Sequence, residues 1–265
     1  MRALIKIGGT LIDSPALCAQ LASQIARAQG SGLETVVVHG GGKQMTRFLT
    51  ERGIESRFVN GLRVTTPETL DAVVKVLAGA VNHELIAAFI GAGAMPVGLS
   101  GIDANLVEAE QMDPALGAVG RVRRANPALL ELLTANGYLP VVACVAGDRQ
   151  GRMYNVNADQ MAVACAAAFG AYRLIFLTDV PGVLDASKKV RQILTVQESA
   201  GLITSGVATG GMQAKLNAAN SAIEQGVERI HIVPGAAPGV IDRVLSGESI
   251  GTRLERAPDM ERVPS

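Results

Sequence analysis

Along this chain, short runs of apolar and β-branched residues alternate with longer segments in which apolar positions recur every three or four residues. The first pattern reads as buried strands and the second as helices. Strands are predicted from Ala3 to Ile7, Thr35 to Val38, Met95 to Leu99, Leu139 to Val145, Arg173 to Leu177 and Arg229 to Val233, with Gly251-Thr252-Arg253 as a final edge strand. Helices are predicted from Pro15 to about Ala28 behind the N-cap Ser14, and from Lys43 to about Arg52. A long one runs from Pro67 to about Ile90 behind Thr66, with Glu68 in its first turn. Further helices span Pro127 to Asn136 and Met161 to Phe169, and one carrying Lys215 follows the glycine-rich stretch Gly206 to Met212. Leu106 to Arg124 breaks into short alternating segments at Gly117 and Gly120, which predicts a small β-hairpin outside the main sheet.

Strand, glycine loop and helix in repeated order predict an α/β fold of the doubly wound type with a mainly parallel sheet. No linker interrupts it, so a division into lobes at residues 1–170 and 171–265 implies two tightly packed halves. The long helix is apolar over a broad face, which burial inside the monomer or in a dimer interface satisfies equally.

Composition narrows the partners. The chain has 265 residues, 48% of them hydrophobic, enough for a sizeable core. Lys plus Arg and Asp plus Glu both total 24, and aromatics make up 3% with no Trp, which argues against nucleic acid or an anionic membrane and for a small-molecule ligand. Cys18, Cys144 and Cys165 lie far apart in apolar surroundings and read as buried thiols, neither disulfides nor a zinc site. With no secretory pattern at the start and no uninterrupted apolar run of about eighteen residues, the reading is a soluble cytoplasmic protein.

The candidate chemistry clusters where strands end. Val36 to Gly42 is a β-branched run closed by His39-Gly40-Gly41-Gly42, which reads either as a tight strand-to-helix turn or as a cradle of backbone amides for an anion. Lys6, two residues before Gly8-Gly9, is either a snorkelling strand lysine or a phosphate ligand, and its place beside a glycine loop favours the second. An Asn60-Gly61 turn presents Arg63. Asn157 and Asp159 suit a helix start, whereas Asn155 is not explained by capping. Thr178-Asp179-Val180-Pro181-Gly182 forms a turn at another strand end, and Lys215 follows Gly211-Met212 by one helical turn. Arg121, Arg123 and Arg124 read as a solvated hairpin face. Neither G-x-G-x-x-G after the first strand nor G-x-x-x-x-G-K-[ST] occurs, which counts against dehydrogenase and P-loop readings.

Taken together and in order, Lys6-x-Gly8-Gly9, His39-Gly40-Gly41-Gly42, Asn60 to Thr65, Asn155-x-Asn157-x-Asp159, Thr178 to Gly182 and Gly211-Met212-x-x-Lys215 resemble the amino acid kinase family over nearly the full chain. Within the family the chain is similar to members that phosphorylate the side-chain carboxylate of N-acetyl-L-glutamate in arginine biosynthesis. The resemblance implies an open αβα sandwich with an acyl-amino-acid lobe and an ATP lobe, and a homodimer built on the long helix. ATP would be the co-substrate, with Mg2+ held mainly by its phosphates. Lys6 and Lys215 would stabilise the transferring phosphoryl group, Asp159 would hold their ammonium groups, and Gly9 and Gly41 would aim amides at its oxygens. Gly41, Gly42, Arg63 and Asn155 would hold the acceptor, while Thr178, Asp179, Gly182, Gly211 and Met212 would lie around the nucleotide.

A carboxylate acceptor is already ionised near neutrality, its ordinary pKa being about 4, so the reaction needs no general base and His39 is left a structural role. Rival readings are a carboxylate kinase of the same fold acting on carrier-bound or acetylated aminoadipate in lysine biosynthesis, and a catalytically silent amino-acid sensor. The sensor would have no need of both lysines. Arginine-inhibited members carry an extra N-terminal helix, and a first strand starting at Ala3 predicts a dimer insensitive to arginine.

Overall fold

The β-branched runs pair into one sheet whose order, in the computed structural model of residues 1–256, is Ile193–Thr195, Thr252–Glu255, Arg229–Pro234, Arg173–Thr178, Arg2–Ile7, Glu34–His39, Leu139–Ala143 and Pro96–Ser100. The six strands from Arg229–Pro234 to Pro96–Ser100 are parallel, and Thr252–Glu255 is antiparallel to its inner neighbour. The central strands are buried on both faces, as continuous apolar runs in parallel sheets require. Helices Ala158–Phe169 and Gly210–Glu224 pack together on one face, and Pro15–Gly30, Asn82–Gly91 and Val240–Ser246 lie on the other. The sheet passes without a break from Arg2–Ile7 to Arg173–Thr178, so the two halves of the chain share one core.

The expected final edge strand at Gly251 to Arg253 lies one place inside the edge, because Ile193–Thr195 pairs outside Thr252–Glu255. Three residues are too short a run to signal a strand. The small hairpin is also larger than expected: Val107–Gln111 and Val119–Ala125 join Val145–Gly147 and Met153–Val156 in a closed four-stranded barrel. The predicted strand from Leu139 to Val145 divides at Cys144, whose thiol donates to the carbonyl of His39 at 3.0 Å. Cys144 and Cys165 are buried and their thiols are pushed up to about 11 and about 12 by desolvation, whereas Cys18 is only half-buried.

The long helix begins as expected, with Thr66 Oγ1 accepting from Thr69 N at 3.2 Å, and continues to Gly91 through a π-helical stretch at Val74–Val81. By length and composition Pro67–Gly91 is apolar enough to cross a membrane, with 39% of its most apolar window buried. It packs on the rest of the fold through Val73, Val81, Leu85 and Phe89. Its Asn82 is buried against the edge strand, where Gly98 is required because a Cβ would collide with the Asn82 amide.

Candidate active site

Parallel register brings Ile7 beside His39, so the two glycine loops leave the sheet as neighbours. Gly40 N donates to Ile7 O at 3.2 Å, and a Cβ on Gly9 would sit 3.2 Å from the amide nitrogens of both Gly41 and Gly42. At Gly41 a side chain is excluded, since its Cβ would run into Leu77 of the π-helical stretch. Gln44, one turn into the helix Gly42–Glu51, donates through Nε2 to Gly9 O at 3.2 Å and Asp13 Oδ1 at 2.9 Å, tying the second loop to the first. Gln44 carries no signal in the sequence, because its contact with Gly9 depends on strand register.

His39 is fully buried, and its pKa falls to about 4, first through loss of solvation and further through the charge on Lys6. The neutral ring donates from Nδ1 to Gly40 O at 2.9 Å, and Nε2 accepts from Asn82 Nδ2 at 3.0 Å, an amide that also donates to Val141 O at 2.9 Å. These contacts employ both ring nitrogens and give the residue a positioning role.

Lys6 projects from its strand towards the start of helix Ala158–Phe169, which Asn157 caps by accepting from Asp159 N and Gln160 N. Lys6 Nζ lies 2.8 Å from Asp159 Oδ1, outside the alignment of a hydrogen bond, and Lys215 Nζ donates to Oδ2 at 3.1 Å. Burial would push the Asp159 carboxyl up, but the two ammonium groups outweigh it and hold the pKa below the ordinary carboxylate range. Lys6 and Asp159 are nearly enclosed, with side chains 7% exposed, while Lys215, at 18%, faces the opening.

Arg63 comes from a two-residue hairpin turn in which Asn60 and Gly61 both have positive φ, 49° and 78°. Its Nη2 donates to Gly42 O at 3.1 Å and Thr46 Oγ1 at 2.8 Å, its Nη1 donates to Ser56 Oγ, and its guanidinium lies 4.6 Å from the centre of the Phe58 ring. Three of five N–H groups are thus occupied. Asn155, on Met153–Val156, donates to Thr65 Oγ1 at 3.1 Å. This fold support is why capping did not account for Asn155.

The glycine loops, the lysine–aspartate bridge, Arg63 and Asn155 open on one cleft of about 1490 Å3, whereas His39 and Asn82 are buried behind it. Lys6, Gly9, Gly41, Gly42, Arg63, Asn155 and Asp159 line one part, and Gly211 and Lys215 line the other. The structure also brings Arg121, Arg123 and Arg124 to this cleft; Arg123 pairs with Glu110 at 3.4 Å and Arg124 with Glu108 at 2.8 Å. Thr178, Asp179, Gly182 and Met212 do not line it. Thr178 and Asp179 stand at the same carboxyl edge, where Gly8 N donates to Leu177 O and Gly235 N to Thr178 O. Gly182 packs against Thr252, and Met212 lies partly buried on helix Gly210–Glu224. Among the described residues no group of three or more His, Cys, Asp or Glu could cage a metal ion.

The amino acid kinase family profile matches residues 1–234. An acetylglutamate kinase from Solibacter usitatus is 68% identical over 97% of this chain and 100% of its own length. One from Bartonella tribocorum is 42% identical over 95% and 88%. A crystal structure of a Streptococcus mutans protein superposes with a TM-score of 0.84 at 28% identity, covering 97% of this chain and 99% of that one. Full-length likeness of sequence and architecture, together with two lysines bracketing an aspartate where two glycine loops meet, establishes that the chain belongs to the amino acid kinase family.

Proposed function

We propose that this enzyme transfers the γ-phosphoryl group of ATP to the side-chain carboxylate of N-acetyl-L-glutamate, giving N-acetyl-L-glutamyl 5-phosphate for arginine biosynthesis. The observation that carries the reading is the Lys6–Asp159–Lys215 bridge beside the loops of Gly9 and Gly41. Phosphoryl transfer asks for two anions in line and for neutralisation of charge on the equatorial oxygens, and little else from the protein. A carboxylate oxygen forms the new bond to phosphorus as the bond from phosphorus to the bridging β,γ-oxygen breaks, and that electron pair leaves on ADP. No proton moves.

Lys6 and Lys215 hold opposite sides of the phosphoryl group, with Asp159 fixing both ammonium groups at a common distance. The amides of Gly9 and Gly41 add donors that need no reorganisation. Gly41, Gly42, Arg63 and Asn155 form the acceptor pocket: two unused N–H groups of Arg63 suit a second carboxylate, and the Asn155 amide faces the same space. Thr178, Asp179, Gly182, Gly211 and Met212 surround the nucleotide at the carboxyl edge of the second half, so residues 1–170 serve the acceptor and 171–265 serve ATP. Magnesium fits as an ion carried on the ATP phosphates, because both Asp159 oxygens face lysines. Bound there, it neutralises phosphate charge.

The enzyme acts in the cytoplasm as a homodimer. Support for the dimer comes from large apolar side chains exposed at the end of the long helix and the start of the Pro96–Ser100 edge, Ile90 and Met95, with Tyr138 beside them. The cleft arginines are the feature that a carrier-borne aminoadipate would use, but Glu108 and Glu110 already engage two of them. An ADP-release assay across N-acetylglutamate, N-acetyl-aminoadipate, glutamate and aspartate tests the reading. Turnover with N-acetylglutamate far above the others is expected, and preference for another acceptor would overturn it.

A further inference from the structure

Away from the cleft, three arginines and a histidine converge on a second cavity. Strand register sets Arg173 beside Arg229 and His231 beside Arg253. Positions two apart on a strand share a face, so Arg173, Arg229, His231 and Arg253 project together from the face on which helix Val240–Ser246 packs. The loop Gly247 to Ile250 closes the space over them, leaving a cavity of about 130 Å3. Arg173 is anchored by Nη1, which donates to the last carbonyls of that helix, Val244 O at 2.9 Å and Leu245 O at 3.1 Å.

The charges here do not cancel. Glu248 is occupied by Arg243, whose Nε donates to it at 2.8 Å, and Glu255 lies 2.9 Å from Arg253 Nε without hydrogen-bond alignment. Among the described residues no carboxylate is within ion-pair distance of Arg173 or Arg229. Both guanidiniums instead lie over the Tyr172 ring, 5.8 Å and 5.4 Å from its centre. Arg173 and His231 are each only 7% exposed, and among the described residues Arg173 Nε and His231 Nε2 have no hydrogen-bond partner. Burial lowers the His231 pKa to about 3, with further contributions from Arg173, Arg253 and Arg229, so the ring is neutral. Buried donors without partners cost stability, and guanidinium forks without acids match the oxygens of a tetrahedral anion.

We propose that this cavity is a binding site for a phosphate-type oxyanion, free or as the terminal group of a small metabolite, held by Arg173, Arg229, Arg253 and His231. The volume admits one such group and excludes a nucleotide. The site lies behind the strand starts, so it is separate from the lysine-lined cleft and occupancy does not compete with ATP. The anion would join helix Val240–Ser246 to the strands Arg229–Pro234 and Thr252–Glu255, a binding event that stabilises the folded chain by mass action.

The chain has three histidines, so the ring resonances of His39, His83 and His231 are separable by NMR. Inorganic phosphate, sulfate and glycerol phosphate are titrated separately to about 50 mM at constant ionic strength. The expected result is a saturable shift of the His231 resonance in the wild type and in Lys215→Met, which alters only the cleft. In Arg229→Gln, a partly exposed position that spares the Arg173 anchor, the dissociation constant should rise at least about tenfold. Tighter binding of glycerol phosphate than of inorganic phosphate would identify the ligand as a metabolite group, and the reverse a free ion. An unmoved His231 resonance with all three anions, or an equal affinity in Arg229→Gln, would overturn the proposal. Neither outcome bears on kinase activity, which the ADP-release assay reads separately.

Discussion

Replacing Asp159 with Asn removes one charge and almost no volume, which isolates the electrostatic part of the bridge. At 2.8 Å and 3.1 Å the carboxylate attracts Lys6 and Lys215 by about 6 and about 5 kcal/mol gross at an effective dielectric of about 20. Desolvation of three charges offsets most of this, and removing one member of a buried pair costs about 3–5 kcal/mol net. In Asp159→Asn two ammonium groups would face each other across a neutral amide that accepts from only one of them. One lysine must then move towards solvent, and Lys215 is the more exposed. Displacement of a catalytic group by about 1 Å costs roughly a hundredfold in rate. The expected result is a kcat lower by about 10²- to 10³-fold in the ADP-release assay, with a urea midpoint reduced by the equivalent of about 3 kcal/mol. A kcat within threefold of wild type at unchanged stability, a margin of under about 1 kcal/mol in barrier, would refute the bridging role of Asp159.

Lys6→Met and Lys215→Met should each lower kcat by at least about 10²-fold with circular dichroism unchanged, because charge stabilisation in the transition state is lost; near-normal turnover would remove that lysine from the site. Gly41→Ala should raise the urea sensitivity by about 1–3 kcal/mol through the clash with Leu77 and cut kcat/KM by displacing the loop, as steady-state kinetics would record. Acid should weaken the fold through His39 and His231, whose folded pKa values are about 4 and about 3. The unfolded chain protonates both below about 6.5 and the native state does not, so stability is intact above that pH and falls by about 1.4 kcal/mol per unit for each histidine on going down to about 4. A urea midpoint that stays flat from neutrality to about pH 5 would contradict the neutral buried rings.

Strand ends and glycine loops were legible because they are local: a β-branched run closed by three glycines announces both its burial and its bare backbone. The capping of Asn157 and Thr66 was legible for the same reason. The lysine bridge was not derivable from spacing, since Lys215 and Asp159 are 56 positions apart and meet only through crossover connections and the packing of two helices. Its members came from the resemblance of six ordered motifs. Gln44 on the Gly9 carbonyl and Asn82 on the His39 ring leave no local signal, because each contact joins separate elements that lie 35 and 43 positions apart. The strands that close the barrel, Val145–Gly147 and Met153–Val156, and the edge strand Ile193–Thr195 left no signal, because three or four residues carry too few positions for alternation to register. Arg121, Arg123 and Arg124 read as a solvated face and are exposed, yet the barrel turns them over the cleft.

The central claim is that the chain makes an acyl phosphate from ATP and N-acetyl-L-glutamate. Hydroxylamine traps such a product as the hydroxamate, a direct record of where the phosphoryl group went. With ATP, magnesium and N-acetyl-L-glutamate the wild type should form hydroxamate in step with ADP, and Lys215→Met should form almost none. ADP release without hydroxamate, or hydroxamate formed faster from another acceptor, would contradict the account.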